Sequence, residues 1–149
     1  MIHEGKTLKA LRRFLGGAGS DAAADKAGTG SRGAAAEQLA ADYLVARGAR
    51  IIARNVRCRG GEVDLVAELD GPRNSTLLFV EVRLRGNARF GGAAASITQA
   101  KQARIILAAQ HWLAGDGSRY ANHPCRFDAI LLDRLDKDAI EWLPGAFSA

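Results

Sequence analysis

Between Glu62 and Arg85 the sequence spells out an acidic β-hairpin, and few arrangements accept one. Residues 62–69 alternate, with Val63, Leu65, Ala67 and Leu69 on one face and Glu62, Asp64 and Glu68 on the other. A period of two marks a strand. Asp70-Gly71-Pro72-Arg73-Asn74-Ser75 supplies turn chemistry, so the next strand, 76–85, returns antiparallel. It starts apolar on both faces (Leu77, Leu78, Phe79, Val80) and ends with Glu81, Arg83 and Arg85 opposite Val80, Val82 and Leu84. A strand of that profile belongs in the middle of a sheet, with its end emerging into a cleft.

A turn centred between Pro72 and Arg73 sets Asp64 directly across from Glu81. Cross-strand neighbours lie about 5 Å apart, and two carboxylates that close repel unless a proton or a cation sits between them. Glu62 shares their face. Such an oxygen-only set of Asp64, Glu81 and Glu62 suits Mg²⁺ or Mn²⁺. A metal there would activate a water and neutralise charge on a phosphodiester, while Arg83, Arg85, Lys101 and Arg104 grip the DNA or RNA backbone. The competing reading makes these carboxylates a solvated outer face paired with Arg83 and Arg85. Against it stands the position of Glu81, which follows a segment apolar on both faces, where an uncompensated charge is costly.

The remaining pattern extends the order to α-β-β-β-α-β-(β), an α/β class. Residues 34–47 place Ala36, Leu39, Ala40, Tyr43 and Ala46 at helical spacing, and Gly48 closes the segment. Ile51 and Ile52 begin a short strand. After a glycine-rich loop, 86–95, Ser96 or Thr98 caps a helix running to Ala114, whose buried arc is Ile105, Ile106, Ala109, Trp112 and Leu113. Residues 126–132 form a strand and 139–143 an edge strand. Asp128 either faces the site or pairs with Arg126, the structural role being favoured.

With 149 residues the chain is the size of one domain, placed at 31–149. Residues 1–30 read as a flexible leader with a short basic amphipathic stripe (Leu8, Leu11, Leu15). The leader holds a literal GxGxxG at Gly28–Gly33, but no strand-forming residues precede it, as a dinucleotide fingerprint requires. A net charge of +5, dominated by arginine, permits a polyanionic partner without naming one. Two cysteines, Cys58 and Cys125, with no secretory signal and no membrane-spanning stretch, place the chain in the cytoplasm as a reduced protein. Arg54, Arg57 and Arg59 around Cys58 favour a lowered pKa, yet the residue reads as a bystander thiol. His3, His111 and His123 show no metal spacing. A homodimer is compatible with the sequence.

GEVDLV (61–66), FVEVRLR (79–85), the stretch from Glu37 to Leu44, Arg54-Asn55-Val56-Arg57-Cys58 and Arg126-Phe127-Asp128 together resemble the YraN-type uncharacterised bacterial family. Its members look like PD-(D/E)xK nucleases, with a restriction-endonuclease-like αβββαβ core, a mixed central sheet flanked by helices, related to archaeal Holliday-junction resolvases. The resemblance implies that Asp64 and Glu81 bind the metal, that Glu37 is a further acid reaching the site, and that Lys101 and Gln102 open the flanking helix. It implies Mg²⁺ or Mn²⁺ as cofactor and a branched or single-stranded DNA as substrate. Two positions depart from the pattern. Arg83 stands where the motif has lysine; it keeps the charge but cannot act as a base. Ala36 stands where a glycine usually precedes the helix acid. The expectation is therefore an endonuclease, with a catalytically degenerate nucleic-acid-binding module or a partner-binding scaffold as alternatives.

Overall fold

The computed structural model describes residues 30–85 and 97–149. They form helix α1 (Gly30–Ala46), strands β1 (Ala49–Cys58), β2 (Gly61–Leu69) and β3 (Thr76–Leu84), helix α2 (Gln99–Ala114), and strands β4 (Cys125–Leu132) and β5 (Ile140–Phe147). The expected leader, residues 1–29 of it, and the loop 86–95 lie outside the described residues. The strands lie side by side in chain order. All neighbours run antiparallel except β3 and β4, which are parallel and joined through α2. The result is a mixed sheet flanked by two helices, consistent with a restriction-endonuclease-like αβββαβ core.

Burial follows from this order. β3 is hydrogen-bonded on both edges and covered on both faces, so successive side chains must be apolar whichever way they point. On one face Leu65, Ala67, Leu78, Val80, Val82, Ile130 and Leu132 pack against Ala36, Ala40, Ala41 and Leu44 of α1. On the other, Val63, Val66, Leu77, Phe79 and Phe127 pack against Ile105, Ile106, Ala109 and Trp112 of α2. Phe79 stacks on Phe127 and meets the Trp112 ring edge-on. Each such fully buried side chain contributes roughly 1.5–3 kcal/mol of transfer free energy.

The local punctuation acts as the residue types require. Gly48 takes φ +94 just past α1, and its N–H bonds back to the Val45 carbonyl. Thr98 caps α2, its hydroxyl accepting the Lys101 N–H at 3.2 Å.

Three elements differ from expectation. α1 begins at Gly30 rather than residue 34, because its first turn is small and polar and carries no apolar period. β1 is a ten-residue strand rather than a short one. It pairs with β2 along its length, and arginines 50, 54 and 57 keep the exposed side polar, as suits the edge of a sheet. β5 runs on through Pro144 to Phe147, which an edge position tolerates.

Cys58 also departs from expectation. Partial burial pushes its thiol up, opposed in part by a backbone hydrogen bond from Gly61, and the neighbouring arginines do not reverse that. Cys125, buried in the α2-side core, is pushed up to about 12 by desolvation. The folded chain thus keeps a Cys125 proton that the unfolded chain gives up, so stability falls as pH rises from the ordinary thiol range towards 12. Iodoacetamide labelling at pH 8, read by mass spectrometry, should modify Cys58 at least tenfold faster, an order-of-magnitude expectation from exposure and thiolate fraction. Equal rates would contradict the buried thiol.

Candidate functional site

β2 and β3 form a ladder from Leu69 opposite Thr76 to Leu65 opposite Val80, the register that the turn chemistry implies. The ladder ends there. Two residues past Val80, the Val82 N–H donates not to a strand carbonyl but to Asp64 Oδ2, at 2.8 Å. The Asp64 carboxylate is thereby lodged in the opening between the strands, against the backbone that carries Glu81. Both acids are buried, at 2% and 1% exposure.

The opening has a cause on the neighbouring strand. Asn55, which falls between the pairs Arg54–Leu65 and Val56–Val63, has φ +51. Asparagine tolerates this left-handed backbone better than most residues. Side-chain alternation breaks there on both strands. Val56 and Val63 pack on the α2 side, whereas Leu65, Ala67 and Leu69 pack on the α1 side. The expectation that Val63 shares a face with Leu65 is therefore corrected, and Asp64 sits at the point where the strand rotates.

A cavity of about 540 Å³ opens at this end of the sheet, beneath the first turns of α1. Glu37, Glu62, Asp64, Arg83 and Arg57 line it, with Asn55 at its wall. Gly33, Ala34 and Ala36 of α1 also line it; their small side chains leave the space open. Arg57 Nε lies 3.4 Å from Glu62 Oε2. Glu81 does not line this cavity, which corrects the expectation that it shares one face with Glu62 and Asp64. It lies between Val80 and Val82, which face α1, and its Oε1 is 3.8 Å from Lys101 Nζ on α2. The site thus straddles the end of the sheet, with Glu37, Glu62, Asp64 and Arg83 on one cavity and Glu81 with Lys101 on the side of α2. Among the described residues, no group of three or more His, Cys, Asp or Glu side chains is placed to hold a metal ion. No helix of the described residues is long and apolar enough to cross a membrane.

Other residues expected to touch nucleic acid have protein partners. Arg85 Nη2 sits 2.8 Å from Asp133 Oδ1 and 3.8 Å from Glu141 Oε1, at the connection between β4 and β5. The Gln102 amide donates to the Ile97 carbonyl at 3.1 Å. Arg104 stands one turn beyond Lys101, its carbonyl facing Gly61. Asp128 takes the structural role. Arg126 binds it through two hydrogen bonds of 2.8 and 2.9 Å, and Trp142 Nε1 and the Gly145 N–H each donate at 2.9 Å. Arg57 and Asn55 were not singled out as site residues from the sequence. No periodic signal in β1, whose sequence does not alternate, points to them.

The chain matches the model of Uncharacterised protein family UPF0102 over residues 36–132, a span that contains every candidate site residue. A UPF0102 protein of Methylobacillus flagellatus is 54% identical over 114 residues, 76% of this chain and 94% of that one. One from Nitrosomonas europaea is 48% identical over 118 residues, 79% and 94% of the two chains. One from Saccharophagus degradans is 47% identical over 116 residues, 78% and 92%.

Proposed function

Since this chain belongs to Uncharacterised protein family UPF0102, we propose from its site that it binds DNA and hydrolyses phosphodiester bonds with Mg²⁺ or Mn²⁺ held by Asp64 and Glu81. The observation that carries this reading is the buried Asp64 carboxylate lodged where β2 and β3 part, beside the backbone of an equally buried Glu81. Two carboxylates out of water in one neighbourhood are costly, and a cation relieves the cost.

The donor set fits a hard cation. Glu37, Glu62, Asp64 and Glu81 offer oxygen only, with no sulfur or imidazole among them. Mg²⁺ commonly takes one or two carboxylates and completes its shell with water and phosphate oxygens. When bound, the metal would supply Lewis-acid neutralisation of the phosphate and a more acidic water. The residues do the rest. Asp64 is held in place by the Val82 N–H. Arg57 and Arg83, on the cavity wall, are suited to phosphate oxygens as rigid guanidinium forks. Glu37 and Glu62 are suited to ordering waters in the cavity.

Cleavage of branched and linear DNA with Mg²⁺ or Mn²⁺ tests this reading. Glu81→Ala should lower the rate about 100-fold or more, with DNA affinity little changed. Equal activity in both proteins, or cleavage without metal, would remove the proposal. Arg83 in place of lysine favours a second reading, a DNA-binding module that does not cut. That module would bind in a steeply salt-dependent way, and Arg83→Lys would then gain cleavage.

A further inference from the structure

We infer that Lys101, carried by α2, supplies to the Asp64–Glu81 site the lysine cation that β3 lacks at position 83. The inference rests on the nuclease reading and assigns a residue within it.

Three observations point to Lys101. First, its ammonium lies beside Glu81, with Nζ 3.8 Å from Oε1, and the Lys101 and Glu81 side chains are only 13% and 2% exposed. A long lysine stem gives up much rotamer freedom when held this way. Second, Lys101 is the third residue of α2 after the Thr98 cap, and its own N–H is fixed by the Thr98 hydroxyl. A positive charge in the first turn opposes the helix dipole, and no acidic residue of that turn offsets it. Local helix stability therefore argues against lysine here, and the compensating charge comes from β3. Third, Arg83 lines the α1-side cavity, whereas Lys101 reaches the site from the α2 side. The two cations are carried by different elements, Arg83 by β3 and Lys101 by α2, and need not duplicate each other.

The chemistry assigns them different work. In phosphodiester hydrolysis a water oxygen bonds to phosphorus and the bond from phosphorus to the leaving sugar oxygen breaks. One proton of the water passes to solvent, and the leaving oxygen takes one up. No oxidant or reductant is required. Negative charge builds on the non-bridging phosphate oxygens as the new bond forms. A compact ammonium with three donors can hold Glu81 and those oxygens at once, and it is pre-placed by the capped helix. The planar guanidinium of Arg83 is better suited to gripping the phosphate before reaction.

The test compares wild type, Lys101→Met, Lys101→Arg and Arg83→Met on a labelled four-way DNA junction and a linear duplex with Mn²⁺. Single-turnover rate and DNA Kd are measured separately, and Mn²⁺ affinity is measured by calorimetry without DNA. Lys101→Met should slow the single-turnover rate about 100-fold with DNA Kd within about threefold, and Lys101→Arg should recover about tenfold. It should also tighten Mn²⁺ binding several-fold, because a competing cation beside Glu81 is gone. Arg83→Met should mainly weaken DNA binding. If wild type cleaves and Lys101→Met cleaves as fast, the inference fails and the nuclease reading stands. The same holds if only DNA affinity falls, or if Mn²⁺ binding weakens, since the lysine would then only support the carboxylate. If wild type cleaves with neither metal, the nuclease reading fails and takes the inference with it.

Discussion

Asp128→Ala should destabilise the fold by about 3–5 kcal/mol, the range for removing one partner of a buried ion pair. Asp128 is fully buried and accepts four hydrogen bonds, two from Arg126 and one each from Trp142 and the Gly145 N–H. Alanine would leave the Arg126 guanidinium, whose side chain is 10% exposed, without its partner in a place that water barely reaches. Two of the donors belong to β5, an edge strand held to the sheet by β4 alone. Its register already shifts between Phe127 and Ala129, where the Gly145 N–H turns to the carboxylate. The loss should therefore loosen β5 first, seen as faster amide exchange at residues 140–147 than in β3. Urea denaturation should record the full effect, equivalent to roughly 10–20 °C in Tm for a chain of this size. An Arg126→Met, Asp128→Ala double variant should be less damaging than Asp128→Ala alone, because no buried charge remains. A loss below about 1 kcal/mol in the single variant would show that the network is a bystander.

Gly61→Ala should cost roughly 3 kcal/mol or more, at the upper end for forcing an added methyl into a packed interior. A Cβ at this position would meet the Arg104 carbonyl oxygen at 2.3 Å and the Ala108 nitrogen at 3.1 Å. Both are helix backbone, which cannot swing aside as a side-chain tip does. β2 and α2 must move apart, and with them the parts of α2 that carry Lys101 and Arg104. Gly60 is the control. It holds φ +86 in the turn between β1 and β2, but its nearest neighbour would be the flexible Leu107 Cδ2 at 3.5 Å. Gly60→Ala should therefore cost only the left-handed strain, about 1–2 kcal/mol. Equal midpoints for the two variants in urea denaturation would refute the close-packing argument.

Much of the central hairpin was legible from its residues. The turn at 70–75 fixed the register of β2 on β3, because a hairpin's pairing follows from where its turn is centred. The double-faced apolar run 77–80 marked a central strand, and Thr98 marked the start of α2. These are short-range signals, in which a residue's role depends on neighbours a few positions away. The rotation at Asn55 and Asp64 was not legible. A left-handed asparagine leaves the order of polar and apolar residues nearly unchanged, yet it re-aims every side chain beyond it. The full extents of β1 and β5 were missed for a related reason. Edge strands are half solvated, so their composition carries little of the apolar alternation that identifies a strand.

By itself the sequence determined the order of the elements, the buried face of α2 and the register of β2 on β3, whereas α1 buries Ala41 and Leu44 in place of the expected Tyr43 and Ala46. Periodicity and turn chemistry act within one segment, where sequence distance and spatial distance agree. Only the tertiary structure decided which charges serve the fold and which surround the site. It set Arg85 on Asp133, added the β5 donors Trp142 and Gly145 to the Asp128–Arg126 pair that the sequence already favoured, and brought Lys101 to Glu81, twenty positions earlier in the chain. Partners of that kind are chosen by packing between segments far apart in the chain, and no local pattern encodes that choice.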